Sequence, residues 1–267
     1  MSAVFTAPAG RRFADLTSPQ AAALSPDAVL MLPIGATEQH GLHLPLGTDT
    51  RIAEAASQAV VARSGEELDL WILPTLAVSL SDEHIGTPGT LTLSVTTLMA
   101  VLDDLGRSLA TLPPRRLVLV NAHGGNTSLL GVACRQLRIR YGLLTFLLHP
   151  SLPVDHGGQS DGPEGSLGIH AGHEETSLLL HLTPELVDMA KARADVPTWL
   201  EQLDHVGIAG PVSFGWTAAD LSATGTIGDP TAADAAHGAV LFDAMTVAMA
   251  DALREVRAFT LPRAGSS

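Results

Sequence analysis

Within twelve residues, Glu38, His40, His43 and Asp49 bring two carboxylates and two imidazoles into the stretch I-G-A-T-E-Q-H-G-L-H-L-P-L-G-T-D, residues 34 to 49. These are the side chains that hold zinc, manganese or iron. In an extended chain the Glu38-x-His40 spacing points both side chains to one side. Asp49 joins them only if the chain loops back, which Pro45 and Gly47 permit. Three further places gather similar chemistry. His123 lies in N-A-H-G-G-N (121 to 126), where the paired glycines allow positive φ and close approach of backbone to a ligand. Ser81, Glu83 and His84 lie in a polar loop that reads as substrate-facing. His170, His173, Glu174 and Glu175 gather at the start of a helix.

The elements that must position these groups are legible as apolar runs. Strands are predicted over Ala28–Leu32, Leu68–Leu73, Arg116–Val120 and Leu143–Leu148. Pro33 and Gly35 are expected to end the first of them, which leaves Glu38 to Asp49 on a loop at a strand's C-terminal end. Ligand sites form at such ends in open α/β sheets. Helices are predicted over Thr50–Arg63, Val95–Leu109, Thr127–Arg140, Ser177–Leu182 and Ala232–Val256, with a short helix start near Thr17-Ser18-Pro19. Asp49 or Thr50 is well typed as the N-cap of the helix Thr50–Arg63, a structural role that competes with metal binding for Asp49. Acidic residues in a first helical turn are favoured by the helix dipole, which competes likewise for Glu174. The segment 150–168 reads as a long loop suited to a lid or binding role, with His149 and His156 unassigned.

The chain has 267 residues and a formal charge of −13. This fits one domain, with a core over 26–260 and irregular ends at 1–20 and 262–267. Acidic balance, no basic stripe and only 4% aromatic residues argue against nucleic-acid binding. A lone cysteine, Cys134, sits in a helical apolar pattern and reads as core. The sequence has no run of 18 apolar residues, so a cytoplasmic protein without membrane spans is expected. No G-x-S-x-G, P-loop, G-x-G-x-x-G after a strand or H-E-x-x-H occurs.

Taken together, the segments 34–50, 88–93 (P-G-T-L-T-L), 116–126 (R-L-V-L-V-N-A-H-G-G-N), 170–177 (H-A-G-H-E-E-T-S) and 224–238 (T-G-T-I-G-D-P-T-A-A-D-A-A-H-G) resemble the creatininase family of metal-dependent amidohydrolases. The resemblance implies an α/β fold, a three-layer αβα sandwich with a mostly parallel central sheet. It also implies two divalent ions per chain and a homohexamer. By position, Glu38, His40, Asp49 and His123 match metal ligands, with Asp49 bridging, and His170 matches the histidine that handles protons. Creatininase itself carries a carboxylate ligand two residues after the motif's histidine, where this chain has Gly125. Relatives with Gly-Gly offer a carboxylate from H-A-G-E instead, and this chain has His173 there with Glu175 two residues on. The last ligand is therefore Glu175 or His173, with Glu175 preferred. Tryptophans that flank creatinine in that enzyme are missing before His170, which disfavours creatinine as substrate.

The implied reaction is hydrolysis of a cyclic or linear amide C–N bond by a metal-bridging hydroxide. His170 and Glu175 are the catalytic candidates, and Gly124 and Gly125 could bind the developing oxyanion. Ser81, His84 and His173 complete the substrate-binding candidates. Within the family, H-A-G-H-x-E-T-S and Gly228-Asp229-Pro230-Thr231 also resemble the mycofactocin-maturation peptidase branch. Other relatives act on a formamide or a cyclic ketone. A metal-binding, non-catalytic assembly subunit is the alternative outside enzymology, and the complete set Glu38, His40, Asp49, His123 and His170 argues against it.

Overall fold

The computed structural model describes residues 10–150, 165–209 and 211–262. Most of the 150–168 loop, His156, and the ends 1–9 and 263–267 lie outside the described residues. The elements in chain order are α1 (Ser18–Ala22), β1 (Val29–Ile34), α2 (Thr48–Ser64), β2 (Leu70–Ile72), α3 (Val95–Leu109), β3 (Arg116–Asn121), α4 (Thr127–Tyr141), β4 (Leu144–Leu148), α5 (His173–Leu182), β5 (Val206–Gly207), β6 (Val212–Ser213), α6 (Ala218–Leu221) and α7 (Ala235–Ala258). β5 and β6 form a separate two-stranded ladder. Thr17 and Gln20 close a capping box on α1, as Thr17-Ser18-Pro19 predicts.

The central sheet has the order β2-β1-β3-β4, and every pairing is parallel. Both faces are covered, so β1 and β3 are buried throughout. Side-chain alternation sorts them. Val29, Met31, Val118 and Val120 pack with Ala56 and Val60 of α2 and with Met245, Met249 and Leu253 of α7. Leu30, Leu32, Ile34, Leu117 and Leu119 pack with Leu98 and Leu102 of α3 and with Leu130 and Leu137 of α4. Each such side chain contributes roughly 1.5–3 kcal/mol by leaving water. The result is the expected three-layer αβα sandwich. By length and composition α7 is apolar enough to cross a membrane. Its buried face lies on the sheet and on α5, as a core helix does.

β1 runs two residues further than predicted and carries Pro33 inside it. Pro33 costs little there because β2 stops at Ile72, opposite Met31. Its carbonyl instead accepts from the Leu76 N–H beyond β2. α2 starts at Thr48 behind Gly47, so neither Asp49 nor Thr50 is its N-cap. α5 starts at His173 rather than Ser177, which puts His173, Glu174 and Glu175 in its first turn.

The connection after β1 goes to the α2 face and the one after β3 to the α4 face. The C-terminal ends of these neighbouring strands therefore splay apart into a crevice, the topological switch point of an open α/β sheet.

Candidate metal centre

β1 ends into Gly35, where a side chain would overlap the backbone of Thr50. The absence of a Cβ lets the first turn of α2 pack against the strand end. Thr50 Oγ1 donates to the Ala36 carbonyl, and the Glu38 N–H donates to that of Leu46. The loop thus folds back on itself, and Asp49 arrives beside Glu38 and His40. Freed from capping, the Asp49 carboxylate divides its oxygens. Oδ1 lies 3.0 Å from His40 Nε2 and Oδ2 lies 3.2 Å from His123 Nδ1.

β3 delivers His123. The Asn121 side-chain amide donates to the His123 carbonyl (2.7 Å), and Asn126 ties Asn121 to Ser79, whose hydroxyl donates to the Gly35 carbonyl. This buried network joins the ends of β1 and β3 to the loop after β2. That loop supplies the Leu80 carbonyl, which accepts from His123 Nε2 (2.9 Å) and leaves Nδ1 facing Glu38 (3.4 Å) and Asp49. Ser81 and His84 come from the same loop. The Ser81 hydroxyl lies beside the Glu38 carboxylate, and His84 Nε2 is 3.4 Å from Glu38 Oε1.

His170 is fixed by an antiparallel bridge to Ile227. Its ring centroid lies 4.3 Å from those of both His40 and His84. Nε2 donates to the Gln39 carbonyl (2.8 Å), so Nδ1 faces Glu38 Oε1 at 3.6 Å. Between His170 and α5 the turn places Ala171 at φ +53°, a left-handed conformation that costs a non-glycine residue of order 1 kcal/mol. It aims the Ala171 N–H at Glu175 Oε2 (2.6 Å) and holds that carboxylate toward His40 and Asp49.

The electrostatics follow from burial against charge. Burial lifts the Glu38 carboxyl to about 7, opposed by His123 and helped by Asp49. For His40 burial works downward, but the Asp49 carboxylate outweighs it and the imidazole rises to about 9. Burial alone would lift Asp49, yet His40 and His123 hold it below the usual carboxylate range. Burial raises Glu175. It lowers His84 to about 4 and pushes His170 well below the ordinary histidine value, with the His40 charge acting the same way.

Three groups of ligand atoms lie within 4.8 Å of one another: Glu38, His40 and His170; Glu38, Glu83 and His123; and His40, Asp49 and Glu175. Both Glu38 oxygens and Asp49 Oδ2 are buried without a hydrogen-bond partner. Imidazoles at 3.2 to 3.6 Å offset part of the cost of burying these oxygens, and a cation between them would offset more of it. Mixed oxygen and nitrogen donors suit zinc, manganese or iron.

The other candidates fall in different places. His173 packs its ring against His237 (5.0 Å between centroids), facing α7, while Glu175 joins the His40–Asp49 group. His43 accompanies the motif but its Nε2 pairs with Thr176 Oγ1 at 2.9 Å, and burial lowers it to about 4. Neither Gly124 nor Gly125 has positive φ. At Gly124 a side chain would meet open space, whereas at Gly125 it would overlap Glu83 and the His123 ring. Gly125 is thus needed for room, not for backbone conformation. Cys134 is half-buried against the α3–α4 core. Sequence reasoning gave no position to Gln39. Its side-chain amide donates to His84 Nδ1 (2.9 Å) and to the Gly225 carbonyl (3.0 Å), and its Oε1 accepts from the Gly41 N–H. Its place between Glu38 and His40 was the available signal.

Residues 14–253 match the Creatininase family profile, described as creatinine amidohydrolase. The chain is 39% identical over 245 residues to the mycofactocin precursor peptide peptidase of Mycobacterium tuberculosis, covering 86% of this chain and 85% of that protein. It is 30% identical over 250 residues to the creatinine amidohydrolase of Pseudomonas putida, covering 86% of this chain and 90% of that one. Among solved structures, a mutant creatininase of Zn-Zn type superposes with a TM-score of 0.73 at 29% identity, over 91% of this chain and 97% of that chain. A manganese creatininase gives 0.74 at 29% identity, over 92% and 98%.

Proposed function

The chain belongs to the creatininase family, and from that premise we propose that it is a hydrolase of amide C–N bonds that works with two divalent ions per chain. The observation that carries this is the divided carboxylate of Asp49, with His40 on one oxygen and His123 on the other. Asp49 would be shared by both ions, His40 and Glu175 would hold one, and Glu38 and His123 the other. Ions so held supply Lewis acidity to the substrate carbonyl and an activated water.

The chain's own groups do the rest. His170 is kept neutral by burial and presents Nδ1 to the site, so it can take a proton there and return it to the leaving nitrogen. Gln39 fixes that tautomer through its carbonyl. The Ser81 hydroxyl, beside the Glu38 carboxylate, and the backbone N–H groups of Gly124 and Gly125, next after His123 in the chain, are candidates for binding substrate.

Within this reading a peptide-derived amide is favoured over creatinine. The identity to a mycofactocin precursor peptide peptidase exceeds that to a creatinine amidohydrolase, and no tryptophan stands before His170 in the 150–169 segment. A cytoplasmic homohexamer fits the same reading. The test is elemental analysis of wild type and Asp49→Ala, followed by hydrolysis assays on lactams, formamides and short peptides. About two ions per chain, lost in the variant, with turnover of one amide class, is the expected result. Protein that takes up neither zinc nor manganese would overturn the reading.

A further inference from the structure

Resting on that two-ion reading, we propose that Glu83 is a metal ligand, donated from the loop after β2 into the space left by the missing side chain of Gly125. Three observations carry it. First, a Cβ on Gly125 would overlap Glu83 Oε1, so the two positions compete for one volume beside His123. Second, Glu83 Oε1 lies 3.3 Å from His123 Nε2, and Glu38, Glu83 and His123 form one of the three sets of ligand atoms within 4.8 Å. Third, the Glu38 oxygens in that set are buried without hydrogen-bond partners, so the set is short of a cation.

With Glu83 included, the His123 side of Asp49 gains one ligand over the His40 side. His40 and Glu175 stand on the Oδ1 side of Asp49, and His123, Glu38 and Glu83 on the Oδ2 side. The turn Asp82–His84 makes this possible. Its backbone is closed by the His84 N–H donating to the Ser81 carbonyl, and it sends Glu83 and His84 to the centre from consecutive positions. Glu83 Oε1 shares His123 Nε2 with the Leu80 carbonyl, at 3.3 and 2.9 Å, so a ligand role and an orienting role for Glu83 are separated by metal affinity.

The test is metal binding, read without turnover. Apo protein is titrated with zinc and with manganese against a chromophoric chelator, for wild type, Glu83→Gln, Glu83→Ala, Gly125→Glu and the pair Glu83→Ala with Gly125→Glu. Glutamine can still accept a hydrogen bond from His123 but brings no charge. A ligand role predicts that Glu83→Gln and Glu83→Ala both lose at least about 10- to 100-fold in affinity for one of the two ions. Gly125→Glu alone is expected to lose it by overlap, and recovery in the pair would show that the two carboxylates serve one position. Wild-type affinity for both ions in Glu83→Gln would overturn the proposal. Two ions in wild type with either result leaves the hydrolase reading standing, whereas no ions in wild type removes that reading itself.

Discussion

The Gln39 carbonyl accepts a hydrogen bond from His170 Nε2 at 2.8 Å, and this one contact decides which nitrogen of the imidazole the site can use. Nδ1 is left toward Glu38, and burial between two other histidine rings keeps the imidazole neutral. A neutral histidine with one committed nitrogen is suited to passing a proton back and forth at the other. His170→Asn is therefore expected to lower kcat by about 10²- to 10⁴-fold while both ions remain bound. Loss of an ion together with activity would instead make His170 a ligand.

Asp49 reaches both histidine nitrogens at once, so its removal should empty both pockets rather than one. Asp49→Asn keeps the shape and removes the charge. Its expected metal content is below about half of the two ions proposed, by elemental analysis. Retention of one full ion would show that Asp49 serves a single pocket.

Metal loading should release protons in a pH-dependent way. Ligands bind ions as carboxylate and neutral imidazole. Burial raises Glu38 to about 7, and Asp49 raises His40 to about 9, so at pH 6 both carry protons that an ion must displace. Near pH 8 Glu38 is largely ionised and His40 still charged. Apparent affinity should rise from pH 6 to 8 while the number of released protons falls by about one as Glu38 ionises, with His40 and His123 still giving up theirs. Calorimetry in buffers of different ionisation enthalpy measures this. A flat profile would mean that these groups do not hold the ions.

Gly35→Val should disturb folding and metal binding together. Its side chain would overlap the Thr50 backbone and push α2 from β1. Overpacking of this kind costs about 1–3 kcal/mol, visible in urea denaturation. Because α2 carries Asp49, weaker metal binding should accompany it. Unchanged stability would show that α2 can shift freely.

Asp195 anchors the 222–226 turn: one oxygen accepts from the Ser222 hydroxyl (2.7 Å) and the Ala223 N–H (2.9 Å). The same turn offers the Gly225 carbonyl to Gln39, and Ile227 bridges His170. Asp195→Ala is expected to cost about 1–3 kcal/mol in denaturation and to lower kcat through a looser Gln39. Wild-type values for both would mean that the turn is held by its remaining contacts.

The fold was legible because its signals are local. A run as short and as rich in Leu and Val as Arg116–Val120 reads as a buried strand, and Val95–Leu109 carries a helical stripe whose observed bounds coincide with the predicted ones. Errors arose where a neighbour overrode local preference. Pro33 reads as a strand end, but it is harmless where the adjoining strand has stopped. Asp49 reads as a cap, yet Gly47 takes that position and the carboxylate turns to His40.

By itself the sequence determined the chemistry on offer. Spacing placed Glu38 and His40 on one side of an extended stretch, and Pro45 and Gly47 permitted the turn that brings Asp49 back to them. What only the tertiary structure decided is which distant groups meet them. Glu175 rather than His173 turns toward Asp49, because Ala171 adopts a left-handed conformation that no pattern announces. Glu83 stands beside His123 because Gly125 leaves it room. Such pairings depend on which side chains share a volume after the sheet brings separate strand ends together, and that volume is not written in any one segment of the chain.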